Sequence, residues 1–137
     1  MKKFLLPAYF NEVTFYRGSD FSYVTFSKEA NFSVATFYEE ANFMGTKFNE
    51  QADFSWVTFS KSASFNGTEF YKIATLQGAN FLGQAYFINS QFAYKTLFRR
   101  TLFEQPNKVT FEDSNLSKVS FADSDITRIR FGDKIRW

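Results

Sequence analysis

The sequence predicts an all-β solenoid of short stacked coils, chiefly because of the spacing of its phenylalanines. All 21 phenylalanines fall on one series of positions, and from Phe4 to Phe103 the gaps alternate between six and five residues, with Leu76 as the one substitute. A fixed short period is typical of a chain in which each unit buries its apolar residue against its neighbours. After a gap of eight residues the series continues in steps of five at Phe111, Leu116, Phe121, Ile126 and Phe131.

Small residues accompany these large ones. We call the position of each large apolar residue the central position. Two residues before it, the chain carries a second and usually small residue such as Ala30, Ala52 or Val57. A large and a small inward residue separated by one outward residue is the alternation of a β-strand. The one to three residues left between strands cannot hold a helical turn, so each unit must end in a tight corner.

Four five-residue stretches point to a known family. Its consensus is a small residue, a polar residue, Leu or Phe, and two polar residues. The stretches Ala-Asn-Phe-Ser-Val at 30–34, Ala-Asn-Phe-Met-Gly at 41–45, Ala-Asp-Phe-Ser-Trp at 52–56 and Ser-Asn-Leu-Ser-Lys at 114–118 resemble the pentapeptide repeat family. The resemblance implies a right-handed quadrilateral parallel β-helix with one repeat per side. The extra residue in alternate repeats departs from the consensus, so five- and six-residue sides should have different corners.

The charges predict the length of a coil. Sides of five, six, five and six residues make a coil of 22, which stacks charges of alternating sign, whereas a coil of eleven would stack like charges. Opposite charges on facing strands stabilise a sheet and like charges destabilise it. The alternating columns are Arg17, Glu39 and Lys61; Lys28, Glu50 and Lys72; and Lys47 with Glu69. The sequence therefore predicts 22-residue coils, about six in all.

We expect one continuous domain with three parts. Residues 1–103 form the 22-residue coils, 104–110 form a loop, and 111–137 form regular five-residue repeats with a C-terminal cap. The two prolines fit this division, because Pro7 and Pro106 both fall in corners, where no ladder hydrogen bond is needed.

Two further expectations concern the corners and the last coil. The glycines at corners should supply positive φ angles, and they are Gly45, Gly67, Gly78 and Gly83. Continued in steps of five, the series would place Arg136 inward. The repeat is therefore expected to stop there, with Trp137 lying across the last coil.

The composition excludes most catalytic chemistry. The chain has no Cys and no His, which removes disulfides, thiolate chemistry, the commonest general base and the commonest zinc ligand. The acidic pairs Glu39–Glu40 and Glu112–Asp113 are interpreted as solvated surface, and no phosphate-binding motif is present. We predict no catalytic, metal or cofactor-binding residue, no cofactor and no enzymatic activity.

The charge and hydropathy limit the partners. Sixteen Lys and Arg against 14 Asp and Glu give a net charge of +2, far from the basic surface of a nucleic-acid-binding protein, so a nucleic-acid partner is unlikely. No stretch approaches the roughly 18 apolar residues of a membrane helix. The absence of cysteine is compatible with the cytoplasmic location that we expect.

One region of the predicted surface is more apolar than the rest. In the fourth and fifth coils, outward positions that elsewhere hold polar residues hold Leu82, Tyr86, Ile88, Tyr94, Leu97 and Leu102. We expect them on two or three adjacent sides, where they would make one apolar patch. Large exposed apolar patches usually mark interaction sites, so these six residues are the candidate interaction site. The alternative is that segment 104–110 folds back and covers part of the patch.

These observations predict a rigid, non-enzymatic scaffold for protein–protein interaction or self-association, through this patch or through an open end of the solenoid. The resemblance allows an alternative, a DNA mimic that inhibits a topoisomerase (gyrase). A mimic needs a contiguous acidic surface to replace the phosphates, whereas the charges of this chain alternate in sign. The scaffold is therefore the preferred hypothesis.

Overall fold

Four parallel sheets wrap around a phenylalanine core in the computed structural model of the chain, which describes residues 2–137. In that part of the chain, 22 short strands make sheets of five, six, five and six strands. Successive strands lie in successive sheets, so four strands complete a coil and the sheets contain about six coils. The predicted quadrilateral β-helix is thus confirmed. A 3-10 helix, Pro106–Lys108, interrupts the repeat.

Up to the fifth coil each sheet collects every fourth strand, and the last coil adds strands to the second and fourth sheets only. The first contains Lys3–Phe4, Thr25–Phe26, Lys47–Phe48, Glu69–Phe70 and Gln91–Phe92. The second contains Ala8–Tyr9, Ala30–Asn31, Ala52–Asp53, Ala74–Thr75, Thr96–Leu97 and Val119–Ser120. The third contains Thr14–Phe15, Thr36–Phe37, Thr58–Phe59, Asn80–Phe81 and Leu102–Phe103. The fourth contains Ser19–Asp20, Ala41–Asn42, Ala63–Ser64, Ala85–Tyr86, Val109–Phe111 and Arg130–Phe131.

The strand register confirms the 22-residue coil. Ala52 pairs with Ala74, and the same offset holds through the first four coils. It changes at the 3-10 helix, where Ala85 pairs with Val109, and the last coil is shorter, since Thr110 pairs with Arg130. The segment 104–110 is therefore only partly a loop, because Val109 and Thr110 already belong to a strand.

The core is four columns of stacked side chains. Phenylalanines one coil apart stack nearly parallel, with ring centroids between 4.4 Å for Phe87 and Phe111 and 5.7 Å for Phe70 and Phe92. The first and second columns meet edge to face, as Phe48 does with Phe54 at 86°, and the opposite second and fourth columns do so as well, as Phe54 does with Phe65 at 85°. Offset and edge-to-face contacts are the favourable arrangements of aromatic rings. The central positions are thus inward, as predicted.

Small residues line the corners of this core, and their hydroxyls are not left unpaired. The Thr46 hydroxyl donates to the carbonyl of Phe21 at 2.7 Å, and that of Thr68 donates to the carbonyl of Phe43 at 2.7 Å. Burying a hydroxyl is costly unless it forms a hydrogen bond. A Ser or Thr at this position therefore replaces Ala while linking one coil to the previous one.

Corners of two kinds alternate, as the two side lengths predicted. Where a five-residue side ends, the residue two after the central position has a positive φ, as in Gly45 (65°) and Gly78 (68°). The residue after it donates its N–H back to the central carbonyl, as Thr46 does to Phe43 at 3.1 Å, the pattern of a type II turn. The prediction of a positive φ for Gly83 was wrong, because Gly83 lies in the corner of a six-residue side and its φ is not positive. A Cβ at Gly83 would approach the carbonyl carbon of Lys61 to 2.7 Å.

Val34 is the corner residue that fits its conformation least well, because it is β-branched and has a φ of 61°. Val34→Gly should raise the free energy of unfolding by about 0.5–1 kcal/mol, since relief of about 1–2 kcal/mol of strain exceeds the entropic cost of glycine, about 0.5–1 kcal/mol. Urea unfolding measures the change. The control is Ser33→Gly. Ser33 is not in the positive-φ region, so this substitution should lower the free energy of unfolding. An equal loss in both variants would contradict the strain.

The last coil ends differently from the prediction. Arg136 pairs with Asn115, an outward residue, so Arg136 is outward and Trp137 takes the next inward position above Leu116. The Trp137 ring contacts Phe131 at a centroid distance of 4.9 Å. The expectation that the repeat stops at Arg136 was wrong, because the last gap in the series is six residues rather than five and the coil continues to Trp137.

Candidate interaction surfaces

The six residues of the predicted patch are distributed around the solenoid. Leu102 is in the third sheet and Leu82 follows that sheet, whereas Tyr86 is in the fourth sheet and Ile88 follows it. Tyr94 lies at the corner before the second sheet and Leu97 within it. Tyr94 and Leu102 are about half-exposed, and the other four are partly buried.

These positions do not make one face. The second and fourth sheets are opposite sides of a four-sided coil, so Leu97 and Tyr86 point in opposite directions. The structure brings only neighbouring members together, such as Leu82 and Leu102 on the third side. The reason is that residues five or six apart lie on successive sides, whereas neighbours on one side are 22 apart.

The segment after Phe103 lies against this third side. The Gln105 side-chain amide donates to the carbonyl of Leu82 at 2.9 Å, and Pro106 lines a shallow groove together with Leu102. Part of the expected patch therefore contacts its own chain.

Several apolar side chains are exposed together at the open N-terminal end, which we define as the first coil, residues 2–22. Phe4 is 37% exposed, whereas Phe26, one coil above it, is fully buried. Leu5 and Leu6 are 68% and 76% exposed, and Tyr9 is also exposed. The four strands of this coil each pair with one neighbour among the described residues. The sequence indicated this end through Leu5 and Leu6, but not how far the core is exposed there.

The backbone groups at this end follow the ladder pattern of the parallel sheets. In such a ladder every second residue of a strand directs both its N–H and its carbonyl to the same neighbouring strand. In the first sheet Thr25 donates to Lys2 at 2.9 Å, and in the fourth sheet Ser19 donates to Glu40 at 2.9 Å. With the registers of these two sheets, the N–H and the carbonyl of Lys3 and of Asp20 both lie at the N-terminal edge, without a ladder partner among residues 2–137.

A groove runs along the corner between the fourth and first sheets, and we call it the side groove. Its volume is about 500 Å³, with Gly45 and Gly67 in its floor. Met44, Asn66 and Ile88 line one wall, Lys47 and Glu69 the other, and Tyr23 and Asn89 lie at its two ends. Sequence reasoning treated the two glycines only as turn residues. Their separation of 22, which places one directly above the other, was the signal that could have revealed the groove.

Ion pairs follow some of the predicted charge columns. Lys61 donates to Glu39 at 2.7 Å, and this hydrogen bond raises the pKa of Lys61. Lys47 approaches Glu69 at 3.8 Å. Among residues 2–137 no ion pair joins Lys28, Glu50 and Lys72, whose exposed side chains gain little from pairing.

Two kinds of site are not found in the described part of the chain. Residues 2–137 contain no group of three or more acidic side chains arranged to hold a metal ion. Nor does any helix within that range have the length and hydropathy needed to cross a bilayer.

Comparison with known proteins agrees with the repeat. A family model described as pentapeptide repeats (9 copies) matches residues 10–58. This stretch therefore carries the repeats of the family that the sequence was predicted to resemble, and the four-sided coils continue beyond it to the fifth and sixth coils. No curated protein matches the sequence.

Proposed function

We propose that this pentapeptide-repeat solenoid is a rigid, non-enzymatic scaffold that self-associates through its open N-terminal end. The observation that carries the proposal is the exposure of core side chains in the first coil. Phe4 occupies the same column as Phe26 and Phe48, and it alone of the three is exposed. Exposed core surface beside unpaired strand edges is the usual template for adding further strands.

A second copy of the chain is the partner that this end fits best. A two-fold axis along the diagonal of the coil places the first sheet of one copy against the fourth sheet of the other. The two edge strands then run antiparallel, and the N–H and carbonyl of Lys3 face the carbonyl and N–H of Asp20 in the other copy. An isologous contact of this kind is self-complementary.

The charges favour the same arrangement. Lys3 and Asp20 occupy equivalent outward positions on the first and fourth sheets, so each lysine would face the other copy's aspartate. Hydrogen bonds from the Ser22 hydroxyl and N–H lower the pKa of Asp20, which keeps it ionised. The end of a single coil is small compared with a standard interface of about 1,600 Å², so the dimer should be weak and should weaken further with salt.

DNA mimicry is the less favoured function. The charges stacked along the sides of the solenoid alternate in sign, as Glu39 and Lys61 do. A surface of this kind does not reproduce a row of phosphates. A gyrase supercoiling assay distinguishes the two functions, and we expect no inhibition.

Sedimentation velocity across a range of concentrations measures the self-association. Leu6→Lys should weaken the dimer about tenfold, since it places two lysines in an apolar contact. Asp20→Lys should weaken it as well, and the double variant Lys3→Asp with Asp20→Lys should restore it.

Leu102→Lys is the matched control, because Leu102 is exposed on the third side, in a strand four coils above the open end. It should leave the dimer unchanged. A monomer at every concentration would reject the proposal. A dimer lost in Leu102→Lys but retained in Leu6→Lys would assign the contact to the patch around Leu82 instead.

A further inference from the structure

The solenoid binds two of its own aromatic side chains on glycines. The Tyr23 ring lies over Gly45 in the next coil, where an added Cβ would be 2.6 Å from Cδ1 of the tyrosine. The Trp56 indole covers Gly78 in the same way. In both cases the ring comes from the preceding coil and occupies the space that a side chain on the glycine would fill.

Gly67 offers the same surface without a ring. It has the same φ as Gly45, 65°, and the nearest atoms to an added Cβ are backbone atoms of Gly45 at 3.9 and 4.0 Å. Gly67 lies in the floor of the side groove, beside Met44 and Ile88. The groove volume is in the range of sites that hold small ligands or single side chains.

The wall of the side groove carries a cation with a weak partner. Glu69 accepts a hydrogen bond from the Tyr71 hydroxyl, whereas the Lys47 ammonium has only the 3.8 Å approach of Glu69 and no hydrogen bond within residues 2–137. Both side chains are partly exposed, so this ion pair is weak. Lys47 is thus available to a carboxylate that enters the groove.

We propose that the side groove binds an extended segment of a partner protein in which a Trp or Tyr is adjacent to an Asp or Glu. The aromatic ring packs on Gly67 between Met44 and Ile88, and the carboxylate pairs with Lys47. This site lies on the side of the solenoid, so it goes beyond the proposed association of the open ends and does not depend on it.

Peptide titration followed by NMR tests this inference. The probe is the acetylated and amidated tetrapeptide Gly-Trp-Asp-Gly, with Gly-Ala-Asp-Gly and Gly-Trp-Asn-Gly as comparison peptides. Amide signals of Gly67 and Asn89 should shift with Gly-Trp-Asp-Gly, at a dissociation constant of about 1 mM or below. Loss of the ring should remove the shifts, and loss of the carboxylate should weaken binding severalfold.

Gly67→Asn is the decisive variant. Asn89 holds the equivalent position in the next coil at a φ of 55°, so asparagine is compatible with this corner, and its side chain would fill the space over residue 67. We expect about tenfold weaker binding with an unchanged unfolding midpoint. Lys47→Gln should weaken binding severalfold, whereas the control Lys72→Gln should not.

The outcomes separate cleanly. Shifts that persist in Gly67→Asn, or equal binding of the Trp and Ala peptides, would overturn the inference, as would the absence of any shift with the intact protein. Peptide binding is read from the amide signals of Gly67 and Asn89, which lie outside the first coil. A failure of the peptide to bind therefore leaves the self-association result untouched.

Discussion

Phe54→Ala is expected to lower the free energy of unfolding by about 3–5 kcal/mol, the usual cost of removing a buried phenylalanine. Phe54 is fully buried and stacks on Phe32 at a centroid distance of 4.9 Å. It also meets Phe43 and Phe65 edge to face. Phe32 below and Leu76 above come from neighbouring coils that the ladders hold at a fixed spacing, so the coils cannot collapse into the cavity.

Urea unfolding followed by far-ultraviolet circular dichroism measures this loss, and the fluorescence of Trp56 reports on the same coil. The control is Phe4→Ala, in the partly exposed first coil. It should cost about 1–2 kcal/mol, since a partly exposed ring leaves no enclosed cavity. A loss below about 1 kcal/mol for Phe54→Ala would be incompatible with an inward ring.

Thr58→Pro should destabilise the protein by about 3 kcal/mol or more, although Thr58 points outward. Its N–H donates to the carbonyl of Ala35 at 2.9 Å, and its strand pairs on both sides, with Thr36 and Asn80. Proline removes this donor and leaves the Ala35 carbonyl without a partner inside the sheet. Thermal unfolding provides the measurement.

The matched control is Gln51→Pro. Gln51 occupies the same corner position as Pro7, two coils later in the chain. The N–H of Gln51 has no acceptor among the described backbone groups. Its carbonyl, which accepts from Ala30 at 3.0 Å, is retained. The change should stay within about 1 kcal/mol. Equal losses in the two variants would show that the ladder contributes little.

Much of the core could be predicted from the sequence because each inward residue packs on others at a constant spacing. The series of large residues placed Phe32 and Phe54 inward, and the charges predicted the 22-residue register. The same logic failed where the spacing changed. The repeat was expected to stop at Arg136, but a six-residue gap carries it on to Trp137, and no nearby repeat signals that gap.

The candidate site was less predictable. Leu82 and Leu97 were expected in one patch over two or three adjacent sides, and they lie on the third and second sides, so the patch stays a prediction. The side groove depends instead on Gly45 and Gly67, which are 22 residues apart, and on a tyrosine ring that fills one position and leaves the next open. Which ring covers which glycine depends on side-chain rotamers at the corners, and spacing does not encode them.

The repeat alone therefore established the four-sided coil, the inward columns and the absence of a helical layer, because in a solenoid each unit is stabilised by contacts at a fixed sequence separation. The three-dimensional arrangement was needed to show which outward side chains meet, how the ends are covered and where a surface remains open. Outward neighbours belong to different coils and corners, and the first-coil strands pair on one side only among residues 2–137. Those contacts follow from the stacking of complete coils and not from the period of any one of them.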